Sequence, residues 1–134
     1  GALMPLPKEA VTAVVAEASK KMSDPNYAAV LVGGFVQGQA AITQYISAHD
    51  VELGGADAIV NVVFHAALIG QFFQRGTGRS PRIVSFDDLD RAAGGDSLAL
   101  LGQVQPFVHG FIDENVTDPE AKRILALIAL AFDR

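Results

Sequence analysis

The strongest constraint on this chain is a stretch near its middle, 56–74, that is apolar nearly all the way round. Ile59, Val60, Val62, Val63, Phe64, Ala66, Ala67, Leu68, Ile69, Phe72 and Phe73 leave no broad polar stripe when wound as a helix. A helix of that kind has to be enclosed by its neighbours. Its length approaches the ~20 residues that cross a bilayer. However, Asp57, Asn61, His65 and Gln71 interrupt it every few residues, a costly pattern in lipid. The expectation is a central core helix and no membrane span.

The flanking segments carry helical periodicity as well. Over 7–22, Val11, Val14, Val15, Ala18 and Met22 share a side opposite Lys8, Glu9, Glu17, Lys20 and Lys21. Asp24-Pro25 then starts a second helix over 26–49, with aspartate as cap and proline in the first turn. Val30, Leu31, Gly34, Gly38, Ala41, Ile42, Tyr45 and Ile46 form its stripe, and Val32, Phe35 and Val36 add apolar surface elsewhere. Gly33, Gly34 and Gly38 each cost about 1 kcal/mol against alanine inside a helix. Close approach of another helix along Gly34 and Gly38 is the return expected for that cost. A turn, 50–55, separates this segment from the central one.

The clearest break is the loop 75–82, Arg-Gly-Thr-Gly-Arg-Ser-Pro-Arg. Ser85 and Asp88 then stand at capping-box spacing, with Val84 and Leu89 at staple positions. This short fourth helix stops at Gly94-Gly95. Asp96 caps a fifth, which Pro106 interrupts near Gln105. Thr117 or Asp118 caps the last, with Pro119 and Glu120 in its first turn. No segment sustains strand alternation, and no internal repeat is evident. The expected fold is all-α: one domain over 4–134, a single bundle of about six helices with the second and third at its centre. Gly1-Ala2-Leu3 ahead of Met4 reads as an expression remnant.

Composition narrows the function classes. Half of the 134 residues are hydrophobic and 19% are charged, so a domain of this size is expected to cover apolar surface with a partner or a second copy. The net charge of −5 disfavours binding to phosphate backbones, so no nucleic-acid partner is expected. The absence of cysteine excludes disulfides, iron–sulfur clusters and thiolate zinc sites, and it fits a reducing cytoplasm.

Three polar sets are candidate sites. Asp57, Asn61 and His65 recur every fourth residue on the greasy central helix, a polar pocket or metal face if His49, Glu52 or His109 join them. Arg75, Thr77, Arg79 and Arg82 would hold a phosphate or carboxylate on a loop opened by Gly76 and Gly78, although the spacing is not that of a P-loop. The same arginines would otherwise pair with Asp87, Asp88 and Asp90. Gln37, Gln39, Thr43, Gln44 and Tyr45 make an amide and hydroxyl set on the second helix. Nucleophilic catalysis has no footing, and no cofactor or metal is implied. The sequence points first to a non-enzymatic interaction module (an adaptor, inhibitor or chaperone-like domain) that is homo-oligomeric through apolar helix faces. The alternative is a bundle that binds a small hydrophobic ligand among Phe35, Phe64, Phe72, Phe73, Phe107 and Phe111. A third reading is a metalloprotein or enzyme centred on His65.

Overall fold

Short polar side chains set four of the nine helix starts among the described residues. Asp24, Asp96 and Asp118 each accept a bond from a backbone N–H in the first turn of the following helix. Ser85 and Asp88 close a full capping box. The computed structural model describes residues 4–134, so the expression remnant expected at 1–3 lies outside the described residues. The chain runs α1 (Lys8–Lys21), α2 (Pro25–Gly38), α3 (Ala40–Ser47), α4 (Asp50–Leu53), α5 (Ala56–Thr77), α6 (Phe86–Ala92), α7 (Ser97–Val104), α8 (Pro106–Asn115) and α9 (Pro119–Phe132). It is all-α, with nine helices among the described residues instead of about six.

Two corrections and one expected break account for the extra helices. The segment 26–49 is two helices, broken at Gln39, whose backbone leaves helical geometry at φ −133°, ψ 64°. Gly38 before it resists the break little. The turn 50–55 contains the single helical turn α4, which closes on Gly54 and Gly55 at φ 100° and 112°, a region open to glycine. The break near Gln105 comes where proline predicts it and divides α7 from α8.

The centre is also different. α5 buries one side, from Val62 to Phe73, and leaves Val60 exposed, so it is not enclosed all round as its composition leads one to expect. Its helical partner at the centre is α9, where Ile124, Leu125, Leu127 and Ile128 are fully buried, each contributing roughly 1.5–3 kcal/mol. α2 is not central: none of its residues is buried. Its glycines do not receive a neighbouring helix either, since a Cβ placed at Gly33, Gly34 or Gly38 meets nothing within 4 Å. α5 is long and apolar enough to cross a membrane by length and composition, and half of that window is buried inside the fold.

The described chain contains a repeat that the sequence does not announce. α1 and α2 pack on α5 as α6 and α7 pack on α9. α3 lies on α5 as α8 lies on α9, and the two halves exchange contacts, α1 with α8 and α3 with α6. A buried glutamine marks each helix break and reaches into the other half. Gln39 Nε2 donates to the Arg82 carbonyl at 2.8 Å, and its Oε1 accepts from the Val84 N–H at 3.0 Å. Gln105 Oε1 accepts from the Leu6 N–H at 2.8 Å, and its Nε2 donates to Asp133 Oδ1 at 2.9 Å. Each glutamine thus fixes the extended segment that leads into the first helix of the opposite half. With Gln39 set on Gln105, Ile42 and Ile46 fall on Val108 and Ile112, all four fully buried.

Candidate functional site

The two halves differ at one place that matters. A groove runs between α2 and α5 with a volume of about 520 Å3. Leu31, Phe35, Ala67, Gly70 and Phe132 are among its apolar lining, and Gln71 and Gln74 bring amides to it. Pro81 and Ile83, from the segment Gln39 holds, form one edge. The counterpart between α7 and α9 is smaller, about 250 Å3. In the glutamine alignment Gly34 stands opposite Leu100 and Gly38 opposite Val104, and both pairs line their respective grooves. The first half is open where the second half places side chains.

Two other helical glycines are closely packed. A Cβ at Gly76 would fall 2.6 Å from Leu6 Cδ2, and one at Gly102 would fall 3.3 Å from the His109 ring. Gly76 therefore receives a packed leucine and does not open an anion loop, contrary to the expectation from its sequence context. Gly78 ends α5 in the left-handed region at φ 75°. In α2, Gly34 and Gly38 lie against open space on the groove, and Gly110 in α8 does the same on a separate pocket between α1 and α8.

A second pocket of about 370 Å3 adjoins the groove, and Pro81 and Phe132 line both. Its polar lining is Thr77, Arg79, Ser80, Arg82 and Arg134, with no carboxylate side chain in it. The Phe132 ring stands between the two, edge-on to Phe35 at 6.5 Å and tilted against Phe73 at 5.8 Å.

The basic set expected at 75–82 is thereby split. Arg75 belongs to α5 and pairs with Glu17 at 3.5 Å, away from the pocket. Thr77 donates to the Phe73 carbonyl at 2.7 Å and accepts from the Arg79 N–H at 3.2 Å, which fixes the loop. Arg82 lies 3.3 Å from Asp88, a carboxylate held below its ordinary range first by the Ser85 backbone N–H and further by Arg82 and Arg91. Arg79 makes no ion pair among the described residues. Arg134 joins the pocket from the far end of the chain, a contribution no local pattern announces.

The polar row on the central helix does not gather into a site. Asp57 and Asn61 are exposed, and His65 Nδ1 donates to the Asn61 carbonyl at 2.8 Å, the ordinary bond of a histidine to its own helix. Its ring leans on Phe64 and Phe111 at 5.7 and 5.9 Å. His49 bonds the Tyr45 carbonyl and His109 lies near Asp113, so the histidines do not converge. Among the described residues no group of His, Asp and Glu is placed to hold a metal. Of the amide set on 37–45, Gln39 alone lines the groove; Gln37 and Gln44 face solvent. Of the phenylalanines, Phe35 lines the groove, Phe107 and Phe111 line a separate pocket between α1 and α8, and Phe72 is core. No family model, curated protein or solved structure matches this chain.

Proposed function

We propose that the chain is a non-catalytic binding module whose working surface is the α2–α5 groove, and that the groove takes an apolar ligand. The carrying observation is the glycine pair Gly34 and Gly38, which puts no side chain on the groove wall where the other half carries Leu100 and Val104. Such glycines cost helix stability, about 1 kcal/mol at an interior position, with no packing partner to offset it. The volume of about 520 Å3 falls in the range typical of small-molecule sites.

Thermal shift with a series of single-chain alcohols, octyl to hexadecyl, tests this. A bound ligand raises the melting temperature by mass action. The wild type responds, and the double variant Gly34→Leu/Gly38→Val, which imports the filling of the second half, does not. A wild type indifferent to every chain length defeats the reading.

A second reading is favoured by the rim. Val30 is 72% exposed and Ile83 77% exposed, both beside the groove. That surface suits self-association through α2, in keeping with an interaction module. Sedimentation velocity of the wild type and of Val30→Glu distinguishes the cases: a dimer that the variant dissociates supports it, and a wild-type monomer rejects it.

A further inference from the structure

We propose that the ligand is a single-chain amphipathic anion, its tail in the α2–α5 groove and its carboxylate in the arginine pocket beyond Phe132. The proposal rests on the groove reading above and adds the head group. Two features carry it. The apolar groove and the cationic pocket share Pro81 and Phe132, so the two lie side by side with the Phe132 ring between them. Three arginines, Arg79, Arg82 and Arg134, line the pocket and no Asp or Glu does, in a protein whose net charge is −5.

The arginines are not equivalent. Arg82 is engaged with Asp88, so it is held in place and partly neutralised. Arg79 has no carboxylate partner among the described residues, and its backbone N–H donates to the Thr77 hydroxyl, which itself donates to the Phe73 carbonyl. A guanidinium presents a fork that matches a carboxylate in two bonds, and Ser80 adds a hydroxyl at the same opening. The groove runs from Val30 to Gly38 along α2, roughly 12 Å at helical rise. That length suits a medium acyl chain. A neutral chain would leave the arginines unused, and a cationic one would be repelled.

Calorimetric titration of the whole chain with decanoate and with decanol tests the assignment, with circular dichroism to establish that every variant is folded. The expected result is one decanoate per chain, bound at least tenfold more tightly than decanol and weakened by added salt. Arg79→Ala lowers decanoate affinity about tenfold and leaves decanol unchanged. Gly34→Leu/Gly38→Val abolishes both. Equal binding of decanoate and decanol, or decanoate binding indifferent to Arg79→Ala, overturns the head-group assignment and leaves the groove reading standing. Failure of both ligands removes the groove reading itself. Acetate binding as tightly as decanoate overturns the link between pocket and groove. Co-sedimentation with phosphatidylglycerol vesicles, lost in Arg79→Ala, in place of monomeric decanoate binding, overturns the free ligand in favour of a membrane surface.

Discussion

The groove between α2 and α5 and its counterpart between α7 and α9 are built on the same frame and finished differently. Both lie beside a helix break marked by a buried glutamine, and both are backed by one of the two central helices. In the second, Leu100 and Val104 stand at the wall and the space shrinks to about 250 Å3. In the first, the equivalent positions carry no side chain. α2 has no buried residue at all, whereas α7 buries Ser97 and Leu101. Burial in the first half rests on α1, α3 and α5, so α2 carries little of the core.

The largest effect tests the glutamines that frame the comparison. Gln39→Leu orphans the Val84 N–H, which is buried, and releases the Arg82 carbonyl. An orphaned buried polar group costs about 1–3 kcal/mol. We expect a loss of about 2–3 kcal/mol in chemical denaturation, with the Val84 amide losing protection in hydrogen exchange. Gln105→Leu should cost a similar amount, with the protection lost at Leu6 instead. The two variants part on ligand binding. Gln39→Leu frees the segment holding Pro81 and Ile83 and weakens the groove's ligand, while Gln105→Leu leaves binding intact. Equal binding losses in the two variants would show that the halves are not separable in this way.

The middle effect exchanges the wall residues. Gly34→Ala should raise stability by about 1 kcal/mol, since helix propensity improves and the new Cβ meets open space. Gly33→Ala should raise it similarly. Gly33 does not line the groove, so it is the control in which binding stays unchanged. Leu100→Gly does the reverse, costing at least the same amount and enlarging the second groove. If Gly34→Ala destabilises, the glycine serves backbone packing and the comparison between grooves loses its basis.

Helix starts and the central segment are legible in the sequence because their causes are local. Asp24, Ser85, Asp96 and Asp118 cap within their own first turn, and 56–74 is apolar whatever surrounds it. The break at Gln39 is not legible, because its cause is a backbone segment over forty residues away, at Arg82 and Val84. The same reason hides the repeat: the halves share contacts and two glutamines, while α1 and α2 are longer than α6 and α7. Nor does the sequence place α9 at the centre ahead of α2, since both are apolar and burial is decided by partners. For the site, three of the four residues of the basic set, Thr77, Arg79 and Arg82, do share a pocket. Arg75 does not join them, because α5 runs to Thr77 and carries it to a different side.

The smallest effect concerns the segments that lead into the two halves. Ahead of α6, Ser85 and Asp88 close the capping box, and Arg82 and Arg91 lie against the carboxylate. Ahead of α1, Pro7 stands at the helix start with no side-chain cap, so the two lead-in segments differ in how they answer to acid. Asp88 is held below its ordinary value of 3.8, first by the Ser85 backbone N–H. A carboxylate with a depressed folded value stabilises the fold above its unfolded value and loses that contribution as pH falls through the folded value. Stability should therefore be flat in this group from neutral pH down to about 4, and fall below it. Glu17 and Glu120, lowered by Lys21 and Arg123, titrate on the same acid limb, so the informative quantity is a difference between proteins. Asp88→Asn should be less stable than wild type at neutral pH and converge with it in strong acid, while Ser85→Ala costs about 1 kcal/mol as a lost cap. Parallel acid curves for wild type and Asp88→Asn would mean that the start of α6 is held by Val84 and Leu89 packing alone, as the uncapped start of α1 is held by Leu6.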